Sequence, residues 1–380
     1  KTVDYILKNF GRKNKMAEVK TATIESFQFQ GACVECIPYG SGHINDTFRV
    51  TCDDNGTTRR YILQRMNKNI FLNPEELMEN VVGVTSWLNK KIQENGGDPE
   101  RETLNIVSTK DGKSFCVDED GEYWRAYIFI EGASTYDLVQ NKEDFYQSAV
   151  AFGHFQGLLA DYPAETLHET IVNFHNTVDR FTKFKKAVEE DACGRAKDVQ
   201  EEINFVLERE KLAHILCDMQ SEKKIPLRVT HNDTKLNNIM IDDETRKAIC
   251  VIDLDTVMPG LAVNDFGDSI RFGASTGEED ERDLSKVSCS MELFDLYTKG
   301  FIEGCNGSLT KEELDMLPIG AMTMTYECGM RFLTDYLEGD HYFKVHREGH
   351  NLDRCRTQFK LVKDMEEKLE QMNEIVNKYR

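Results

Sequence analysis

Four polar residues lie at spacings that suit phosphoryl transfer. His231, Asp233 and Asn238 form the pattern H-x-D-x-x-x-x-N, and Asp253 follows at the end of a short apolar run. Phosphoryl transfer needs one carboxylate beside the attacking hydroxyl, and a second carboxylate with an amide oxygen to hold Mg²⁺ on the nucleotide phosphates. The pattern predicts Asp233 as catalytic base, Asn238 and Asp253 as Mg²⁺ ligands, a nucleotide as phosphate donor, and His231 as a brace of the loop.

The segment between Asn238 and Asp253 supports this interpretation. Ile239 to Ile241 and Ala248 to Ile252 are rich in β-branched residues, and an Asp-Asp-Glu-Thr turn separates them. These features predict a β-hairpin that returns the chain to the metal site. If the second strand continues, Asp255 has the same side-chain direction as Asp253 and becomes a supporting metal ligand. The alternative is a polar loop capped by Asp233, which the hairpin disfavours.

Two further residues near this segment have predicted roles. Asp265, Phe266 and Gly267 spell the triplet that many kinases use at their metal site, but they lie far beyond Asn238 and no long strand precedes them. We therefore expect Asp265 to accept backbone hydrogen bonds that stiffen the catalytic loop. Lys235 could reach the transferred phosphate, or it could be a solvated loop lysine.

A glycine-containing segment near the N-terminus is a candidate phosphate-binding loop. Gly40, Ser41 and Gly42 lie between two strand-like segments, and glycines there let backbone amides approach phosphates. His43 follows them, and a loop over the phosphates also faces the acceptor. An ordinary tight turn with an exposed histidine explains the same residues.

The pattern of elements predicts an α+β fold with two lobes. The first third carries strand-like segments separated by turns, which suggests an antiparallel sheet at residues 28–38, 46–52, 60–66, 105–108, 114–118 and 122–130. Asn73 and Pro74 begin a helix within this part. The remainder has helical spacing at residues 142–159, 179–188, 198–219, 291–303, 311–337 and 357–379. We assign residues 1–131 to a nucleotide-binding lobe and 132–380 to a catalytic and substrate-binding lobe, joined near Ile130.

Charge and cysteine content limit the function classes. The net charge is −20, so a nucleic acid partner is not expected, whereas a cationic acceptor stays possible. The 11 cysteines and the lack of a signal peptide indicate reduced thiols in the cytoplasm, and Cys33 and Cys36 are best explained by strand packing. No apolar run is long enough for a membrane span. Because the chain begins at Lys1, we expect native residues before it.

Long sequence blocks strengthen the catalytic pattern. They resemble the aminoglycoside phosphotransferase and choline kinase family, which has the protein-kinase-like fold, and within it the bacterial N-acetylhexosamine 1-kinases. The blocks are residues 40–47, 61–64, 230–239, 252–260, 265–276 and 327–332. The resemblance implies transfer of phosphate from ATP, with Mg²⁺, to the C1 hydroxyl of N-acetylglucosamine or N-acetylgalactosamine. It places that hydroxyl beside Asp233.

The same resemblance assigns binding residues. It implies that His43, Phe272, Arg331 and Tyr342 bind the sugar, and that backbone groups of Phe129 to Ala133, Ile130 and Glu131 among them, pair with adenine. From the residues alone, Arg331 could instead pair with Asp335 one helical turn later, and Tyr342 could be a packed loop aromatic. A monomer that takes ATP and a small sugar is expected.

One residue departs from the wider kinase pattern. Gln64 occupies the strand position where many relatives carry a lysine or arginine, and the adjacent Arg65 would face the other side of the strand. Either Gln64 makes only a neutral hydrogen bond to the nucleotide or another cation replaces the missing one. The usual ion pair with a helix glutamate, Glu76 or Glu79, is therefore in doubt.

Two other functions remain open from the sequence. One is a kinase of another small hydroxyl substrate, such as an aminoglycoside, choline or homoserine, which the acidic composition would favour. The other is a nucleotide-binding pseudokinase that works as a partner module, although the filled positions Asp233, Asn238 and Asp253 argue against it.

Overall fold

A five-stranded antiparallel sheet forms the N-terminal part of the computed structural model, which describes residues 19–40, 44–136 and 141–380. The strand order is β1-β2-β3-β5-β4. The strands are β1 Ala32–Pro38, β2 Asp46–Asp54, β3 Thr57–Arg65, β4 Cys116–Val117 and β5 Tyr123–Ile128. Their antiparallel pairing confirms the sheet predicted from the sequence.

Alternation along the strands gives the sheet one apolar face. Phe48 and Val50 of β2 and Leu63 of β3 are buried together with Trp124 and Ala126 of β5. Side chains of successive residues point to opposite faces of a strand, so the polar neighbours of these residues lie on the other face. That other face carries Gln64, which is directly opposite Arg125 in the β3–β5 register.

The rest of the fold is mainly helical, as predicted. The helices are α1 Thr21–Glu25, α2 Pro74–Glu94, α3 Pro99–Glu102, α4 Lys142–Leu158, α5 Thr177–Glu190, α6 Gln200–Leu207, α7 Glu210–Ser221, α8 Ala262–Gly273, α9 Met291–Cys305, α10 Lys311–Glu338, α11 His350–Glu367 and α12 Leu369–Lys378. Two small sheets complete it, formed by β6 Ala133–Ser134, β7 Arg228–Thr230, β8 Ile239–Asp242, β9 Ala248–Val251 and β10 Met258–Gly260.

Helix α2 begins as the sequence predicts and packs between the sheet and the helical part. The Asn73 side chain accepts a hydrogen bond from the Glu76 N–H at 3.3 Å, and Pro74 occupies the first turn. Val84 and Leu88 of α2 lie in one apolar cluster with Phe155 of α4 and Leu254. The helix therefore ties the sheet to the elements that carry the metal-site candidates.

Several predicted boundaries were wrong. The single helix predicted for residues 198–219 is divided into α6 and α7, and the one predicted for 357–379 begins at His350 and is divided into α11 and α12. Residues 105–108 form no strand, only an isolated bridge from Ile106 to Tyr127. The sequence also did not predict helix α8, whose two glycines lower its helix propensity.

Gly267 explains why α8 tolerates glycine. A Cβ atom at this position would collide with the carbonyl oxygen of Gly320 on α10, and a Cβ on Gly320 would collide with the carbonyl oxygen of Val263. The two helix backbones therefore cross in direct contact, which only glycines permit. No helix in the described ranges is long and apolar enough to cross a membrane.

Candidate active site

Asp265 holds the predicted catalytic loop in place. Its Oδ2 accepts hydrogen bonds from the His231 N–H at 2.8 Å and from Gln156 Nε2 at 2.9 Å, and its Oδ1 accepts from the Asn232 N–H at 2.8 Å. Asn232 adopts a left-handed backbone conformation with φ 63°, which turns both N–H groups toward this one carboxylate. Asp265 is buried, and that burial raises the pKa of its carboxyl group.

His231 joins the loop to the end of the hairpin. Its Nε2 donates to the carbonyl oxygen of Ile252 at 2.9 Å, and its Nδ1 accepts from the Asp233 N–H at 3.3 Å. These partners assign the neutral tautomer with the proton on Nε2. The ring is fully buried beside Phe152 and Phe155, and this packing fixes its position between the loop and the end of the hairpin.

Asp233 has both carboxylate oxygens oriented by neighbours in the same loop. Lys235 Nζ lies 2.7 Å from Oδ1, and Asn238 Nδ2 donates to Oδ2 at 3.2 Å and to the Asp233 carbonyl oxygen at 2.8 Å. Burial disfavours the charged form of Lys235, but the charge of Asp233 and nearby aspartates outweighs it and raises the lysine pKa. Lys235 therefore keeps its proton at neutral pH and forms an ion pair with the Asp233 carboxylate.

The hairpin predicted between the loop of Asp233 and the candidate metal ligand Asp253 is present, and Asp253 lies just beyond its second strand. Strands β8 and β9 pair in antiparallel fashion, and the Ile252 N–H donates to the Asn238 carbonyl oxygen at 2.9 Å. Asp253 then adopts a left-handed conformation with φ 59°. This conformation is costly for a residue other than glycine and is typical of functional sites.

Asp253 combines accessibility with an unfavourable electrostatic environment. Part of the residue is exposed to solvent, yet the surrounding protein atoms desolvate its carboxylate. This desolvation, together with the negative charges of Asp255 and Asp233, raises the pKa of Asp253 to about 6. Within the described part of the chain this carboxylate has no hydrogen bond and no ion pair. A bound cation would offset the negative charge that accumulates here.

Asp255 is arranged differently from the prediction. Strand β9 ends at Val251, and residues 254–256 form a single 3₁₀ turn, so the chain does not continue as a strand beyond Asp253. Asp255 Oδ1 lies 2.5 Å from Arg125 Nη1, and Asp255 Oδ2 accepts from Asn45 Nδ2 at 2.6 Å. Its part as a metal ligand stays a prediction.

The donor set suits Mg²⁺ better than a metal held by protein alone. The ranges that the structure covers contain no group of three or more His, Cys, Asp or Glu residues able to hold a metal ion. Mg²⁺ is often bound by one or two protein oxygens together with waters and substrate phosphates. Asp253, with its uncompensated carboxylate, and Asn238 would supply such a partial set.

Gln64 is not a direct substitute for the missing strand lysine. Its Nε2 donates to Thr47 Oγ1 at 3.0 Å and its Oε1 accepts from Arg125 Nε at 3.0 Å. Arg65 faces the other side, as strand alternation predicts, where its Nε donates to Asp46 at 2.8 Å. Of the two candidate helix glutamates, Glu79 pairs instead with a surface histidine.

The predicted nucleotide-binding residues fall in two places. Gly40 has φ 79°, a conformation that suits glycine, whereas Ser41 and Gly42 lie outside the described residues, as does His43, which was predicted to bind the sugar. At the connector, Ile130 is buried, and Glu131 pairs through its carboxylate with an arginine of β3 at 3.0 Å. The pairing of these residues with adenine stays a prediction.

The predicted sugar-binding residues lie on α8 and near the end of α10. Phe272 is 44% exposed and Tyr342 is 42% exposed, which leaves both rings available to a ligand. Arg331 Nη2 donates to the Tyr342 hydroxyl at 3.3 Å, and its Nη1 lies 3.9 Å from Glu327. The alternative pair of Arg331 with Asp335 is wrong, because Asp335 accepts the backbone N–H groups of residues 341–343.

Arg125 and Asn45 are the residues of this site that sequence reasoning missed. Arg125 is 1% exposed and stands in the otherwise apolar and aromatic strand β5. An arginine within such a strand is itself a signal, since a buried guanidinium requires a charged partner. Nothing in the local sequence identifies Asp255 as that partner.

Comparisons with known proteins identify the family and the fold of this chain. The model of the phosphotransferase enzyme family matches residues 35–287. An aminoglycoside phosphotransferase structure from Alicyclobacillus acidocaldarius is 12% identical, with a TM-score of 0.63 and coverage of 97% of this chain and 99% of that one. A microcompartment-associated aminopropanol kinase is 14% identical, with a TM-score of 0.59 and coverage of 93% and 97%. Choline kinase from Cryptosporidium parvum is 14% identical, with a TM-score of 0.51 and coverage of 91% and 92%. These likenesses confirm the predicted bilobal kinase-like fold.

Proposed function

Because the chain belongs to the phosphotransferase enzyme family, we propose that it is an ATP-dependent kinase that phosphorylates the anomeric C1 hydroxyl of N-acetylhexosamines. The observation that carries the kinase part is the fixed carboxylate of Asp233, oriented by Lys235 at 2.7 Å and Asn238 at 3.2 Å. The assignment of the sugar comes from the sequence resemblance. N-acetylglucosamine and N-acetylgalactosamine are the expected acceptors.

In this proposal Asp233 orients the acceptor hydroxyl and accepts its proton as the bond to phosphorus forms. Lys235 holds the Asp233 carboxylate in position and can offset charge on the transferred phosphoryl group. Mg²⁺, when bound with ATP, would be held by Asp253 and Asn238 and would neutralise charge on the phosphates. His231 and Asp265 keep the loop in the geometry that in-line attack requires.

The charges near the predicted acceptor residues favour a neutral acceptor. Burial lowers the pKa of Arg180, and the positive charge of Arg331 lowers it further. Among the described residues Arg331 has one ion-pair partner, Glu327, whose carboxylate also lies 3.1 Å from His175. An ammonium group would be repelled there, whereas the oxygens of an N-acetylated sugar could accept hydrogen bonds from arginine.

A second candidate is a kinase of an alcohol that carries an ammonium group, such as an aminoglycoside, choline or homoserine. The net charge of −20 favours it, because the field of the whole molecule attracts cations. An acceptor panel assayed for ADP release separates the two proposals. We expect turnover with N-acetylglucosamine or N-acetylgalactosamine, and turnover with choline or kanamycin alone would overturn the assignment of a neutral sugar.

The variant Asp233→Asn tests the kinase proposal. We expect ATP binding to stay near that of the native protein while turnover falls by about 10²–10⁴-fold, the usual contribution of a general base. Asp243→Asn, which changes an exposed acid in the turn of the hairpin, is the matched control and should retain activity. Unchanged turnover of Asp233→Asn would remove this residue from the mechanism, and acceptor-dependent turnover by the native protein excludes a pseudokinase.

A further inference from the structure

The missing cation on β3 has a counterpart on the adjacent strand. Gln64 and Arg125 are cross-strand partners in the β3–β5 register, and Arg125 Nε donates to Gln64 Oε1 at 3.0 Å. Gln64 is itself fixed by its hydrogen bond to Thr47. The guanidinium of Arg125 is thus held on the same sheet face where a β3 cation would project.

From this face Arg125 reaches across to the metal-site segment. Its Nη1 lies 2.5 Å from Asp255 Oδ1, and both side chains are almost completely buried, at 2% and 4% exposure. The Tyr127 ring, whose centroid lies 5.3 Å from the guanidinium carbon, packs beside the same guanidinium. A buried charge pair is costly to desolvate and is weak evidence for stability alone, so a geometric task is a reasonable explanation for its presence.

The same carboxylate also contacts Asn45, the residue before β2. Asp255 Oδ2 accepts from Asn45 Nδ2 at 2.6 Å, and Asn45 Oδ1 accepts from the Asn67 N–H at 3.0 Å. Asn67 in turn donates through Nδ2 to the Ile44 carbonyl oxygen at 3.1 Å. One carboxylate therefore connects Arg125 in the sheet, Asn45 before β2 and the turn that follows Asp253.

We propose that Arg125 is a positioning residue that replaces the missing β3 cation by clamping Asp255, so that Asp253 and the segment around Asn45 are fixed before Mg²⁺ and nucleotide bind. This proposal rests on the proposed kinase function but concerns only nucleotide and metal binding. Asp255 serves in it as an anchor of the turn. The pair differs from a lysine–glutamate pair within the sheet lobe, because its acid comes from the metal-site segment itself.

The clamp has a specific consequence for metal dependence. Without Arg125, the negative charges of Asp255 and Asp253 would lie close together with less compensation, and the backbone at Asp253 would lose its anchor. Groups that orient metal ligands in this way usually change metal affinity or activity by about 10–100-fold when they are replaced. A residue that contributes only to folding would not change the Mg²⁺ requirement of a protein that remains folded.

The test compares Arg125→Gln with Arg228→Gln in full-length protein. Arg228 of β7 and Glu313 of α10 form a second buried ion pair, 2.5 Å apart, which contacts neither Asp253 nor Asp255, so its loss is a matched control for destabilisation. Calorimetric titration of MgADP, at a series of Mg²⁺ concentrations, needs no acceptor. We expect Arg125→Gln to require about 10–100-fold more Mg²⁺ for the same ADP affinity, and Arg228→Gln to match the native protein.

Two further variants keep the result interpretable. Asp255→Asn should reproduce the Mg²⁺ phenotype, and its effect should not add to that of Arg125→Gln, because both act through one pair. The exchange Gln64→Arg with Arg125→Gln should recover part of the Mg²⁺ affinity by returning the cation to β3. An unchanged Mg²⁺ requirement in a folded Arg125→Gln protein would refute the proposed positioning role of Arg125, even if the sugar kinase assignment holds. MgADP binding that depends on Arg125 would support it even if no sugar is phosphorylated.

Discussion

Asp265 offers the sharpest test of how the catalytic loop is held. Its carboxylate accepts three hydrogen bonds, from the N–H groups of His231 and Asn232 and from Gln156, while only 1% of the residue is exposed. The substitution Asp265→Asn keeps the shape of the side chain. It replaces one acceptor oxygen with an NH₂ group that must face an N–H donor of the loop.

The expected cost follows from these bonds. A hydrogen bond to a charged group contributes about 1.5–3 kcal/mol, and leaving a buried donor unsatisfied costs about 1–3 kcal/mol. Asp265→Asn loses at least one charged bond outright and weakens the others, so we expect the free energy of unfolding to fall by about 2–4 kcal/mol. Displacement of Asp233 by even a fraction of an ångström should also lower kcat by at least about tenfold.

Urea unfolding followed by fluorescence measures the first effect, and ADP release with N-acetylglucosamine measures the second. The matched control is Asp283→Asn, an exposed aspartate that accepts from the Ser285 N–H at 3.2 Å. Its unfolding free energy should stay within about 0.5 kcal/mol of the native value. If Asp265→Asn behaves like this control in both assays, the loop is held by other contacts and the reasoning fails.

Two other outcomes concern charge. Asp253→Asn should abolish Mg²⁺-dependent turnover yet raise the melting temperature of the nucleotide-free protein at about pH 7.5. Because the folded protein raises the pKa of Asp253 to about 6, ionisation of this carboxyl group opposes folding as the pH rises from about 4 toward 6. Scanning calorimetry should therefore show that the gain in melting temperature vanishes near about pH 4. Glu327→Gln should lower the free energy of unfolding at pH 7 by about 1.5–3 kcal/mol, because it removes the charge from a buried carboxylate that lies 3.1 Å from His175 and 3.9 Å from Arg331. Although burial alone would raise the pKa of Glu327, His175 and Arg331 lower it overall, so its stabilising charge is lost as pH falls. The deficit should therefore shrink below about pH 4 in urea titrations, and a deficit that is constant with pH would contradict the charge argument.

The parts of the site that the sequence could predict are local ones. A hairpin of neighbouring residues joins Asp233 and Asn238 to Asp253, and its strands and turn have clear sequence signals. Likewise, the capping residue Asn73 identified the start of α2. Arg125 could not be assigned, because its partner Asp255 comes from a distant part of the chain and only the folded sheet brings them together. The pairing of Arg125 with Asp255 is a tertiary contact, and neither strand alternation nor motif spacing predicts which distant residues will meet.

Helix α8 was missed for a related reason. Its glycines lower intrinsic helix propensity, and their value appears only when the backbone of α10 lies against them. The same holds for Arg331, whose spacing suits a pair with Asp335, although three backbone N–H groups of the following loop compete for that carboxylate. In both cases a partner outside the helix decided the outcome.

The glycine crossing of α8 and α10 also limits how such an enzyme can change its acceptor. Because α8 carries Asp265 near its start and Phe272 near its end, and α10 carries Arg331, any sliding of one helix over the other would disturb the loop around Asp233. New acceptor preferences should therefore arise through exchanged side chains, or through length changes in the loop after Gly339, without relocation of either helix. Homologues with different acceptors would then share the crossing and diverge around it.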